Sequence, residues 1–455
     1  MIGQSKLMKT NFPFVAITYL CLTIPITLVA CNQGDANTNT IDGGNSANTQ
    51  SYSTSASPSG INPNAGLTAA NDGNLYGTAT NGGYYNCGTV FKVSPDGTRT
   101  DIYSFTGVSD DGCHPYATLV QANDGNLYGT TYYGGKSGKG TVFKITTTGA
   151  ETTIYSFYGS GDGAYPRAAL IVGNDGYLYG TTQGGGVNNM GTIYKISITG
   201  TENILYSFSG KDGSTPSSGV IEDSNNNLYG TNGNGGVNGI GTVFKFSLVN
   251  KKITTYSFLG TTAGHSDGAE PAGGLIMAND GNLYGTTAFG GSSNSGTIFR
   301  IAPTINSTTE SVIYSFKNSS DGYGPVAGLI QTLDGTIYGT AEYGGSNNVG
   351  TIFKLSANSI FSPIYSFESG TDGAYPSTMT LVHNIHEKDY LYGTTASGGI
   401  NNNGTIFKVD LNPEEMIHSF ENGVDGIYPF ASLMQASDNN IYGITSKGGI
   451  NDSGT

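Results

Sequence analysis

Residues 119–145 read LVQANDGNLYGTTYYGGKSGKGTVFKI, and this stretch decides the fold. Asn123-Asp124-Gly125-Asn126 supplies the positive φ angles of a tight hairpin, so the apolar runs on either side read as two paired strands. Gly134-Gly135 ends the second strand where a Cβ would obstruct the turn. GTVFKI then alternates in the manner of a third strand. A little further on, IYSF at 154–157 reads as a fourth. Asp162-Gly163-Ala164-Tyr165-Pro166 closes the loop, with proline where a missing N–H costs nothing. Four short antiparallel strands in about fifty residues form one blade of a β-propeller.

The unit recurs along the chain. A Tyr-Gly pair after an apolar residue appears with tyrosine at 76, 128, 179, 229, 284, 338, 392 and 442. The sequence therefore predicts an all-β chain, a β-propeller of four-stranded blades over residues 51–455. Seven units are complete, and an eighth begins at Pro429 and stops at Gly454-Thr455, before its third strand. Residues 51–67 align without gaps to 154–170, matching Tyr52, Ser53, Gly60, Pro63, Ala65 and Leu67. Residues 51–54 thus read as a degenerate fourth strand able to close the ring. The expectation is eight blades, the last incomplete at the carboxyl terminus; seven is the alternative. A missing third strand would leave an exposed edge, which suggests a shortened form of a slightly longer protein.

The combination LYGTT-x-x-GG-x4-GT-[VI]-F-K with YSF and DG-x-x-P resembles the choice-of-anchor tandem-repeat (GloVer repeat) family of bacterial secreted and envelope proteins. The resemblance covers essentially all of residues 51–455. It implies secretion with a variable anchor and names no activity. The strand order also resembles that of kelch blades.

The amino terminus fits that implication. Residues 1–30 read as a lipoprotein signal peptide: Lys6 and Lys9 precede an almost continuously apolar run from Phe12 to Ala30. Leu28-Val29-Ala30-Cys31 resembles a lipobox, so Cys31 is the expected lipidation site, against an uncleaved anchor with an incidental cysteine. Asn32 after the cysteine leans toward the outer membrane. Residues 31–50, polar and with little to bury, read as a flexible tether.

Composition narrows the function. Gly 71, Tyr 30, Phe 19, no Trp and 11% charged residues suit many short strands. The formal charge is −14, and the thirty-residue leader carries two lysines and no acid, so the mature charge is −16. Such a body lacks the basic stripe that phosphate backbones require, which excludes nucleic acid, and it does not adhere to anionic lipid. Membrane attachment is expected through the lipid alone, and the protein is expected to be a monomer.

Alternation of loops places the GG-x4-GT and DG-x-x-P segments on one face and the NDGN turns on the other. Binding-face candidates are Tyr84, Tyr85, Tyr132, Tyr133, Tyr165 and Tyr375, whose rings could stack on sugars. The aspartates of DG-x-x-P (Asp111, Asp162, Asp212, Asp267, Asp321, Asp372 and Asp425) could form an acidic ring for calcium or a cationic partner. The simpler reading is that each carboxylate accepts hydrogen bonds from its own turn, and no cofactor or metal is expected. Cys87 and Cys113 should lie close together on one face as a structural disulfide. His383, His386, Glu387 and Asp389 read as a solvated insertion rather than a metal site. No nucleophile elbow, phosphate loop or zincin motif is present, and no catalytic residue is assigned. The leading expectation is a non-enzymatic, lipid-anchored envelope module binding glycan or protein. The rivals are a lyase or hydrolase of extracellular polysaccharide, using Asp267 and His265, and a degenerate product with no current role.

Overall fold

The computed structural model describes residues 59–261, 267–305, 310–318, 320–370, 372–382, 390–409, 414–419, 426–436 and 440–449. All belong to the larger of two compact units, residues 49–455. The leader, Cys31 and the tether lie outside the described residues, as do residues 51–54.

The described residues form strands and turns, without a helix. Blade 2 shows the plan. Val120–Gln121, Leu127–Thr131, Thr141–Ile145 and Glu151–Ser156 make an antiparallel sheet in chain order. Its first turn is held by Asp124, which accepts from the Asn126 N–H (3.1 Å) and the Tyr128 hydroxyl (2.8 Å). Gly125 takes φ +79° as the third residue of a three-residue hairpin loop, where the chain must turn left-handed to rejoin the ladder. Opposite Val142 and Phe143 of the third strand, the fourth strand carries an extra residue, Ile154, and this bulge twists the pairing.

Seven such sheets form the blades of a propeller. Blades 4 and 5 gain a short strand, Ser214–Pro216 and Gly268–Pro271, laid along an extended second strand. In blade 7 the corresponding segment and the first strand run together as Ala374–Val382. The count is the alternative seven rather than eight. The eighth unit forms only a hairpin of Met434–Gln435 and Ile441–Tyr442 among the described residues, so it lacks the sheet that would make it a blade. That hairpin is nonetheless part of the ring. Ser377 Oγ and Thr378 of blade 7 bond Phe430 O and Ser432 at 2.8 Å each. Ala431 and Ile444 pack on Leu67, Leu75 and Phe91 of blade 1. Tyr442 donates to Pro95 O at 3.2 Å.

Strand alternation builds the core between blades. Phe143 and Ile145 point back to Tyr76, Val90 and Phe105 of blade 1. Val142 and Tyr128 point forward to Leu170, Leu178 and Tyr194 of blade 3. A Cβ on Gly129 would come within 2.6 Å of the Phe143 ring, so the ring lies across a bare backbone. Each fully buried aromatic of this kind is worth about 1.5–3 kcal/mol.

Three interfaces also bury acids. Tyr155 of blade 2 donates to Asp162 (2.9 Å) and faces Glu202 of blade 3. Tyr256 donates to Asp267 (2.6 Å) and reaches Glu310 at 3.3 Å. Tyr103, Asp111 and Glu151 repeat the arrangement. Burial, and then the neighbouring aspartate, pushes Glu151, Glu202 and Glu310 up from 4.5 to about 7. Glu202 Oε1 and Glu310 Oε1 are buried without a hydrogen-bond partner among the described residues.

Two outcomes are expected. Gly129→Ala forces a methyl into the Phe143 ring and costs about 1–3 kcal/mol, measurable by denaturant unfolding; an unchanged midpoint would remove the Gly–Phe contact from the account. The pH dependence follows from the acids. A carboxyl whose folded pKa is raised stabilises fully below its unfolded value and loses that contribution as pH rises through the folded one. The melting temperature should therefore fall between roughly pH 5 and pH 8, and Glu151→Gln/Glu202→Gln/Glu310→Gln should flatten that slope.

Candidate functional site: an aromatic face at blades 2 and 3

The connections that leave each fourth strand cross the same face as the GG-x4-GT loops. Gly112–Cys113 pairs with Tyr133–Gly134, and Gly60–Ile61 pairs with Asn81–Gly82 in the same manner. In every connection the residue before proline takes a left-handed conformation, and in blade after blade it is not glycine. His114, Tyr165, Thr215, Glu270, Tyr375 and Tyr428 have φ between 55° and 61°. Each is pinned by its own N–H, which donates to a carbonyl of the preceding GG loop: His114 to Cys87 O (2.7 Å), Tyr165 to Lys139 O (2.8 Å), Tyr375 to Val349 O (2.7 Å). Bulky residues pay about 1–2 kcal/mol for this conformation. The repeat thus holds one projecting, variable side chain per connection around a single face.

At blades 2 and 3 these side chains meet. Tyr132 and Tyr165 stack with ring centroids 5.2 Å apart and 27° between planes. Tyr116 stands edge-on to Tyr132 at 5.5 Å, and Tyr133 edge-on to both Tyr132 and Tyr165 at 4.7 and 5.7 Å. His114 abuts Tyr133 at 5.8 Å. Polar atoms line the rim: Lys139 Nζ donates to the Tyr165 hydroxyl at 2.8 Å, and the Tyr132 hydroxyl donates to Gln183 at 3.3 Å. Beside this cluster the Cys87–Cys113 disulfide ties the blade 1 loop to the connection that carries His114.

Of the sequence candidates, Tyr132, Tyr133 and Tyr165 form this cluster. Tyr84 and Tyr85 stand separately in the blade 1 loop, 65% and 61% exposed. Tyr375 belongs to a second group, 5.5 Å from Tyr343, which stacks on Tyr323 at 5.2 Å. The aspartates do not present a ring of ligands. Asp111 accepts from the Thr106 N–H and hydroxyl and the Gly112 N–H. Asp162 accepts from Tyr158, Gly159 and Gly163 N–H. Asp212 accepts from Tyr206 and Ser209, Asp267 from Tyr256, Leu259 and Gly260, Asp321 from Tyr314 and Lys317, and Asp372 from Tyr365 and Glu368. These six brace their own turns, as the simpler reading of the sequence has it. Asp425, His265, His383, His386, Glu387 and Asp389 lie outside the described residues. Among the described residues no three His, Cys, Asp or Glu gather as a metal would need.

Tyr116, Tyr323 and Tyr343, and the cations beside Tyr165, were not singled out in the sequence. Part of the signal was present: comparing the units position by position isolates the residue before proline and the two after LYGTT as variable, and Tyr343 stands at the second of the latter.

Fold and face together define a repeat-built β-propeller with a laterally placed aromatic cluster. The chain belongs to the Gloeobacter/Verrucomicrobia repeat family, whose model matches residues 32–174, 159–332 and 256–455. No curated protein sequence matches it. Among solved structures it is similar to the gluconolactonase XC5397 from Xanthomonas campestris, at 12% identity, covering 62% of this chain and 82% of that one with a TM-score of 0.36. A putative 6-phosphogluconolactonase from Bacteroides uniformis shares 15% identity, with coverage of 67% and 84% and a TM-score of 0.45. A puromycin hydrolase shares 11%, with coverage of 86% and 58% and a TM-score of 0.49.

The strain at the connections is testable. Thr215 is β-branched at φ 55°, so Thr215→Asn should stabilise the fold by up to about 1 kcal/mol and raise the thermal midpoint. A lowered midpoint would show that the conformation carries no strain.

Proposed function

We propose that the protein is a non-enzymatic binding module of the bacterial cell envelope and that the blade 2–3 aromatic cluster is its carbohydrate site. The observation that carries the reading is the Tyr132–Tyr165 stack, framed by Tyr116 and Tyr133 and rimmed by hydroxyl, amide and ammonium groups. A pyranose presents apolar C–H faces and polar edges. Tyrosine is apolar across the ring and polar at its tip, and it is stiff, so little entropy is lost when a ligand settles on it. The rim donors and acceptors then fix orientation, as in other small-molecule sites.

Attachment through lipid at Cys31 and a polar tether belongs to the same proposal. It rests on the leader sequence and would hold the propeller away from the bilayer with its face accessible.

A glycan array probed with the purified protein should give binding confined to one sugar class, and Tyr165→Ala should weaken it at least tenfold without changing the far-ultraviolet circular dichroism. A blank array from folded protein would overturn the carbohydrate reading and point to a protein partner.

A further inference from the structure

We infer that the sugar taken by the blade 2–3 cluster is an acidic one, a uronate-containing or otherwise anionic polysaccharide. This rests on the carbohydrate reading and narrows it.

The argument is an internal comparison among repeats. Each GG-x4-GT loop, together with the connection that crosses it, places three side chains at equivalent positions: the first and last of the four variable loop residues, and the residue after proline. At blade 2 these are Lys136, Lys139 and Arg167. In the other six sets none of the three is charged. Three cations thus converge at one site on a chain whose formal charge is −14. Random placement of the Lys and Arg outside the leader, 19 less Lys6 and Lys9, would scatter them over the repeats.

Two of the three meet the aromatic cluster itself. Lys139 Nζ lies 5.0 Å from the Tyr165 ring centroid as well as on its hydroxyl. The Arg167 guanidinium carbon lies 5.8 Å from the Tyr116 ring. Lys136, at the outer rim, is paired with Asp110 at 3.3 Å, with both side chains more than half exposed. A bound ammonium retains further N–H donors after serving Tyr165, since it carries three. A guanidinium presents a planar fork that fits a carboxylate bidentately. Cations held against ring faces therefore flank the surface on which a sugar ring would lie. They would attract an anionic substituent at its edge.

The second aromatic group supplies the contrast. Tyr375, Tyr343 and the stacked Tyr323 repeat the aromatic part at blades 6 and 7. There the equivalents of Lys136, Lys139 and Arg167 are Ser346, Val349 and Ser377, and Glu342 replaces Tyr132. The same backbone scaffold carries the rings without the cations. Cation–π support is thus not a requirement for setting tyrosines on this face, and the blade 2 cations have another use.

The test is titration calorimetry of the full chain with an oligogalacturonate and with a neutral gluco-oligosaccharide of equal length. Oligogalacturonate should bind at least tenfold more tightly than the neutral oligomer at low salt and weaken steeply as sodium chloride is raised. Lys139→Gln/Arg167→Gln should remove that preference, while Tyr165→Ala abolishes binding of either oligomer. Neutral binding that equals or exceeds the acidic, with no salt dependence and no effect of the glutamine variant, would overturn the acidic assignment and leave the aromatic site standing. If neither oligomer binds although the glycan array has found a neutral ligand, the acidic assignment falls alone. If neither binds and the array is blank, both readings fall together.

Discussion

Everything in this propeller depends on an aromatic ring lying across a bare glycine. In the second strand of each blade a glycine follows the buried tyrosine, and a ring from the third strand occupies the space a Cβ would need: Phe91 over Gly77, Phe143 over Gly129, Phe353 over Gly339. The contact lets a large ring sit flat on its own sheet and still fill the gap to the preceding blade, where Phe105 meets Phe143 and Phe316 meets Phe353 edge-on. Without it the ring would stand off the sheet and the blades could not close at the same spacing. Packing at near-crystalline density leaves little room for compromise. The chain has no tryptophan; phenylalanine fills this position in six of the seven blades, and in blade 3 Tyr194 lies over Gly180.

From that packing follows a division of labour between the faces. On the NDGN side, aspartate and tyrosine close the first turns of blades 1 to 5, as Asp124 with Tyr128 and Asp175 with Tyr179, and lysines lie against them, as Lys144 on Asp124 at 3.4 Å. On the opposite side, the DG-x-x-P aspartates clamp the connections. With both sets of polar groups committed to holding loops, variation is left to the side chain before proline and to the loop residues near it. The left-handed conformation makes those side chains project instead of folding back onto the turn. Strain of this kind persists because the flanking hydrogen bonds over-determine it.

Much of this was legible in the sequence, and the reasons are local. The turn of Asn123-Asp124-Gly125-Asn126, the double glycine and the alternation of TVFKI each dictate backbone conformation within a few residues, and each repeats too often to be misread. The pairing of Cys87 with Cys113 could be placed because both occupy loops of known side. What could not be read is anything set by the approach of separate loops. The left-handed residues before proline look like ordinary tyrosine, threonine or glutamate, since their φ is imposed by a carbonyl far back in the chain, as His114 by Cys87 O and Tyr165 by Lys139 O. The buried glutamates are equally silent: Glu202 is an exposed-looking residue at a strand start until Asp162 and Tyr155 of the neighbouring blade close over it. Blade number also depends on closure, which composition and period leave open between seven and eight.

Among the described residues a two-stranded hairpin meets blades 7 and 1 at the seam. A blade contributes to the ring chiefly through the side chains of its inner strands and the rings of its third strand. The hairpin at 434–442 supplies inner strands, and Phe91 of blade 1 supplies a ring from the other side, against Ala431 and Ile444. Leu433 packs close to Gly443 where other units place an aromatic ring against the glycine as well. Among the described residues the seam cluster holds six buried side chains, with Phe91 as its one buried aromatic ring. Blades 2 and 3, by contrast, share an interface of eight buried residues that includes Tyr128, Phe157 and Tyr194. The aromatic face stands at the same two blades, on connections fixed by hydrogen bonds such as that from the Tyr165 N–H to Lys139 O.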